Sequence, residues 1–205
     1  MQLDFEEEFE RQEKRQKLKS AVFKIIKWVI ATVLAITAAF LLTRFCVQKT
    51  ELKSDYMSPT LEKGDTILIS TLSYIKNGPD RFDVIVYKKS GKEHDYYAIQ
   101  RVIGLPGEKI QIIEGIVYIN GEPMQEYTNV ETMKASGMAS EPVILDENEY
   151  FVLGDNRNNS EDSRFNTVGN VQRDEIIGKA IVKLNGLNII SRMNLYKEEE
   201  SETGE

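Results

Sequence analysis

The stretch Lys109-Ile-Gln-Ile-Ile-Glu-Gly-Ile-Val-Tyr-Ile-Asn-Gly121 holds two short β-prone runs, each closed by a turn signal. Lys109–Ile113 and Ile116–Ile119 flank Glu114-Gly115, a pattern that specifies a hairpin. Asn120-Gly121 is the strongest short hairpin signal in the chain, because both turn positions tolerate positive φ. The same grammar continues on both sides. Gly64-Asp65 opens Thr66–Ser70, the Asn77-Gly-Pro-Asp80 turn precedes Phe82–Tyr87, and Tyr96–Ile103 follows. Glu149–Leu153 and Gly178–Leu184 complete the set. No helical period appears after residue 45. Gln125–Pro142 is polar and rich in small residues, and reads as an excursion from the sheet. The fold class expected is mainly β, in one domain over 44–195 that is long enough for its own core.

Ahead of this domain the composition changes. Trp28–Thr43 carries no charge, and the apolar character extends back through Ala21–Lys27, where Lys24 and Lys27 can hold their ammonium groups at an interface. Residues 21–43 therefore read as a transmembrane helix of about 20 residues. Its apolar core exceeds the 7–15 or so residues of a secretory h-region, and Arg44–Lys49 offers no small-residue cleavage site, so an uncleaved anchor is expected. Seven cations lie before or early in the span (Arg11, Lys14, Arg15, Lys17, Lys19, Lys24, Lys27), against Arg44, Lys49 and Lys53 after it. That asymmetry places the N-terminus in the cytoplasm and the β domain outside the cell. Residues 1–20 form a charged segment, either a short helix or a solvated tail. Residues 196–205 form an acidic tail.

Across 205 residues, 26 Lys+Arg stand against 33 Asp+Glu, a net charge of −7. An acidic chain is a poor general nucleic-acid binder, since phosphate calls for a basic face. With Cys46 and His94 as the single cysteine and histidine, a Cys-rich zinc site, an intrachain disulfide and a two-His metal site are excluded. No metal or cofactor is expected. A Ser-His-Asp triad would need His94, which sits in a polar loop run, Ser90–Asp95.

Three blocks stand out: Ser54-Asp-Tyr-Met-Ser-Pro-Thr-Leu61 followed by Gly64-Asp65; Gln100-Arg-Val-Ile-Gly-Leu-Pro-Gly-Glu108; and Gly154-Asp-Asn-Arg-Asn-Asn-Ser-Glu-Asp-Ser-Arg164. Singly, each reads as a turn into a strand, a strand ending in a Pro-Gly turn, or a polar loop. In this order behind one anchor, they closely resemble the type I signal peptidases, family S26, over about Thr50 to Leu184. The resemblance implies the β-rich LexA/signal-peptidase-like fold, an active site close to the membrane surface, and a serine endopeptidase that removes signal peptides from secreted pre-proteins.

The same resemblance exposes a departure. The family's serine nucleophile immediately precedes Met of the first block, and its lysine base immediately precedes Arg of the second. Here those positions hold Tyr56 and Gln100. A Gln amide takes no proton near neutral pH, and a phenol of pKa about 10 needs a base to attack a carbonyl. Ser54 falls at the family's oxyanion-hole position. Ser54 or Ser58 could serve as a displaced nucleophile, but the nearby Lys53 and Lys63 read as solvated loop lysines. Ser160, Asp162 and Arg164 fall at supporting positions. Asp162 and Arg164 are expected to form an ion pair, with Arg101 in the same network, and a Tyr56–Gln100 hydrogen bond is expected to replace the Ser–Lys pair. The resulting expectation is a membrane-anchored, non-catalytic member that binds secreted or surface proteins. Members lacking the dyad are associated with pilin assembly in Gram-positive bacteria. The alternative is an active signal peptidase with a displaced nucleophile.

Overall fold

The computed structural model describes residues 2–90, 95–126 and 131–190. His94 and the acidic tail lie outside them. The chain divides into two compact units, residues 1–45 and 46–205.

The first unit is essentially one helix, α1 (Gln2–Cys46, 45 residues). The charged N-terminal segment, for which helix and tail were both open, belongs to it. Leu18–Phe40, 23 residues of mean hydropathy 1.9, is long and apolar enough to cross a membrane. At 1.5 Å per residue it spans about 35 Å, against a hydrocarbon core of about 30 Å.

Among the described residues the second unit holds twelve strands: β1 (Val47–Glu51), β2 (Thr66–Ser70), β3 (Val84–Ser90), β4 (Asp95–Gly104), β5 (Lys109–Ile113), β6 (Ile116–Ile119), β7 (Glu122–Pro123), β8 (Val143–Ile144), β9 (Glu149–Leu153), β10 (Val171–Gln172), β11 (Ile176–Lys183) and β12 (Asn188–Ile189). The large sheet runs β1-β2-β11-β3-β4-β9-β10, with β12 on β11. The small sheet runs β7-β6-β5-β8. Both hairpin turns of the small sheet have positive φ at both central residues, 50° and 80° at Glu114-Gly115, 54° and 90° at Asn120-Gly121, as their sequence requires.

The expected bounds of β2, β5, β6 and β9 match the structure. β3 starts two residues later than expected. Phe82 has a φ of 69°, and Asp83 accepts hydrogen bonds from Tyr74 and Lys179, so the chain enters the strand only at Val84. The excursion after β7 contains, among the described residues, one short 3₁₀ turn, Gly137–Ser140.

Three apolar clusters fill the unit. Val84, Val86 and Ile99 pack with Met57, Leu61, Ile67 and Ile69 on one face of the large sheet. Ile85, Tyr87 and Val102 pack with Tyr150 and Val152 on the other. Ile103, Phe151 and Leu153 meet Ile110, Ile112 and Val117 of the small sheet. Strands β3 and β9 are therefore apolar without interruption at Val84–Tyr87 and Tyr150–Leu153, because both of their faces are covered.

Candidate functional site

The three blocks are separated in sequence by up to about a hundred residues, and the large sheet brings them together. In the β3–β4 pairing Ile85 lies opposite Gln100 and Val84 opposite Arg101. Successive residues of a strand point to opposite faces, so Gln100 and Arg101 enter different surroundings.

Arg101 is buried, and its guanidinium forms a fork with Asp155: Nε to Oδ1 at 2.7 Å and Nη2 to Oδ2 at 2.6 Å. Its Nη1 donates to the Phe82 carbonyl at 2.9 Å. The Thr60 hydroxyl donates to the same Asp155 carboxylate at 2.6 Å. One carboxylate of the third block thus fixes an arginine of the second and a threonine of the first. The planar fork matches a carboxylate bidentately, which makes the joint directional as well as strong. A second joint is made by Asn156, from its backbone and its side chain. Asn156 N–H donates to the Tyr56 carbonyl at 3.0 Å, and Asn156 Nδ2 donates to the Asp55 carbonyl at 3.2 Å. Gly154 allows this approach: a Cβ there would lie 2.5 Å from the Tyr56 carbonyl oxygen.

Asp162 and Arg164 form the expected ion pair. Arg164 Nε meets Oδ1 at 2.8 Å and Nη2 meets Oδ2 at 2.8 Å, with both side chains buried. Ser160 belongs to this cluster, donating its hydroxyl to Asp162. Arg101 does not: it pairs with Asp155, so Arg101 and Arg164 are held by different carboxylates. Arg164 also holds the excursion after β7, donating from Nη1 to the Ala135 carbonyl at 3.1 Å. Arg157 binds Glu126 bidentately at 2.8 and 2.6 Å on that same segment.

Gln100 is 1% exposed, and both ends of its amide are engaged. Oε1 accepts from the Tyr87 hydroxyl at 2.7 Å, and Nε2 donates to the Glu161 carbonyl at 2.7 Å. The expected Tyr56–Gln100 hydrogen bond is absent among the described residues. Tyr87, two positions along β3 from Ile85, shares Gln100's face of the sheet and reaches the amide oxygen first. Tyr56 is half-buried in the turn between β1 and β2, as are Ser54 and Ser58. Tyr56 is tied to the third block through its carbonyl.

Asp155, Thr60, Asn156 and Tyr87 escaped the sequence reading. One signal was available for the first: an arginine inside an apolar strand demands a buried carboxylate, and the third block offers Asp155 as well as Asp162. Lys89 was also overlooked. It lies on the same face of β3 as Tyr87 and donates to the Val168 carbonyl. Burial pushes its ammonium below the ordinary lysine range, against the opposing pull of Glu175 and Glu161. Its hydrogen-bonding partner is the Val168 carbonyl and not a hydroxyl nucleophile. Among the described residues no cluster of three or more His, Cys, Asp or Glu side chains could hold a metal ion.

The family model for signal peptidase, peptidase S26, matches residues 25–184. Signal peptidase I from Leptolyngbya laminosa is 36% identical over 166 residues, covering 78% of this chain and 79% of that one. Signal peptidase IB of Staphylococcus aureus is 29% identical over 171 residues, covering 76% and 87%. A crystallised signal peptidase I from Enterococcus faecalis aligns with 49% of this chain and 95% of its own, at 32% identity and a TM-score of 0.37. With the mainly β unit, the N-terminal apolar helix and the three blocks joined at one place, the family model and the 36% identical relative lead to one assignment: the chain belongs to the signal peptidase I family of serine peptidases, peptidase S26.

Proposed function

We propose that this chain is a membrane-anchored member of the family that binds secreted or surface proteins, pilins or pre-proteins among them, without cleaving them. In this reading Tyr56 and Gln100 stand at the nucleophile and base positions. The observation that carries it is Gln100. Its amide is buried, bonded at both ends, and has no group that can accept a proton at neutral pH. Lys89, the half-buried lysine on that face of the sheet, donates to a backbone carbonyl. The ion pairs Arg101–Asp155 and Asp162–Arg164 keep the shape of the site. Retained shape without a base suits binding of an extended chain segment.

The test is a pre-protein incubated with the full chain in detergent. Loss of a nucleophile and its base leaves only residual catalysis, so the expected rate is at least on the order of 10³-fold below that of a Ser/Lys member, with the substrate still retained on the protein. Cleavage that disappears in Ser54→Ala or Ser58→Ala would instead establish a peptidase with a displaced nucleophile.

The proposed orientation has the N-terminus in the cytoplasm, on the strength of the seven cations before or early in the span against three after it. Protease added to intact protoplasts should then digest the β domain and leave a small membrane-protected fragment. Complete protection of the β domain would reverse the topology.

A further inference from the structure

The small sheet has one covered face and one open one. Ile110, Ile112 and Val117 turn inward and are at most 2% exposed. The register puts the Ile113–Ile116 and Gln111–Tyr118 pairs on the opposite face, with Ile144 of β8 beside Lys109. Ile113 is 42% exposed, Ile116 47% and Ile144 70%. Polar β-formers such as threonine would serve equally well there if the face met only water.

The charge around this face is one-sided. Residues 108–149 contain nine carboxylates and two cations, Lys109 and Lys134; Glu108 and Glu126 are neutralised by Arg81 and Arg157, which leaves seven carboxylates against two cations. Glu114 sits in the turn between Ile113 and Ile116, while Glu141 and Asp146 flank β8, all three exposed. Glu114, Glu141 and Asp146 lie outside the three blocks.

We propose that the outer face of the small sheet is a docking surface for an extended segment of a partner protein in which apolar residues alternate with lysine or arginine. Alternation places one side of an extended segment on the isoleucines, and its cations reach the carboxylate rim. An acidic rim disfavours anionic lipid and a second acidic copy of this chain. The proposal deepens the binding role given above by assigning a surface and a partner chemistry, and it holds even if the chain also cleaves.

The probe is an eight-residue peptide of alternating Lys and Val, with alternating Glu and Val as its control. Full chain in nanodiscs, labelled at isoleucine methyl groups, reports the location by NMR. The Lys-Val peptide is expected to shift the Ile113, Ile116 and Ile144 signals and to bind at least about tenfold more tightly than the control, weakening as salt shortens the screening length. Ile113→Thr with Ile116→Thr, and separately Glu114→Gln with Glu141→Gln, should each weaken binding by about tenfold. Absence of binding, shifts spread over unrelated isoleucines, or unchanged affinity in both variants would overturn the proposal. So would shifts of the same signals caused by protein concentration or by lipid alone. A pre-protein cleavage assay on the same sample separates the two readings: cleavage would remove the non-catalytic assignment and leave this surface standing.

Discussion

Asp155→Ala is expected to destabilise the β unit by about 3–5 kcal/mol, the range seen when one partner of a buried ion pair is removed. Against a typical total stability of about 5–15 kcal/mol, that is a large share. The reason lies in what remains. Arg101 would keep the Phe82 carbonyl but lose both bonds of the fork while staying 1% exposed. Thr60 would lose its acceptor as well, leaving Asn156 to join the first block to the third. Denaturant unfolding of the full chain in detergent, followed by circular dichroism, gives the measurement. Replacing both partners by apolar residues, Arg101→Met with Asp155→Leu, should recover much of the loss, because no uncompensated charge then stays buried. A change within about 0.5 kcal/mol for Asp155→Ala, as for an ordinary surface substitution, would contradict the joint described here.

The second large effect concerns activity. On the proposed assignment of positions 56 and 100, the pair Tyr56→Ser with Gln100→Lys should raise pre-protein cleavage by on the order of 10²–10⁴-fold, the usual contribution of a positioned general base. Either substitution alone should leave the rate where it is, since a nucleophile without a base, or a base without a nucleophile, completes no step. The surroundings of Gln100 favour the exchange. A lysine amine placed there would find the Glu161 carbonyl and the Tyr87 hydroxyl as acceptors, and deep burial would lower its pKa toward the neutral form that a base requires. These two oxygens also moderate the cost of Gln100→Lys alone, which the sequence by itself would put at that of a buried cation with no partner. A folded double variant that still leaves the substrate intact would remove the assignment of these two positions as the dyad.

Much of this molecule was legible in the sequence because it is local. Strands β2, β5, β6 and β9 follow from apolar runs bounded by turn residues, and the two hairpins of the small sheet follow from residues that accept positive φ. The apolar helix follows from composition, and the family from three blocks in order. β1, by contrast, is Val-Gln-Lys-Thr-Glu, mostly exposed, and carries no apolar alternation. It is extended because β2 pairs with it along its full length. The two-residue strands β7, β8, β10 and β12 are likewise defined by their neighbours, since two residues hold no period.

The site divides along the same line. The sequence determined which residue types are present: a phenol at Tyr56, an amide at Gln100, and two arginines with two aspartates to neutralise them. Only the tertiary structure decided who meets whom. Arg101 finds Asp155 across 54 residues, Gln100 finds the Glu161 carbonyl across 61, and Thr60 finds Asp155 across 95. The Asp162–Arg164 pair, two residues apart, is local and was expected from the family resemblance. The long-range partners were not legible, because sheet register and strand alternation, and not spacing along the chain, determine which polar groups are buried together.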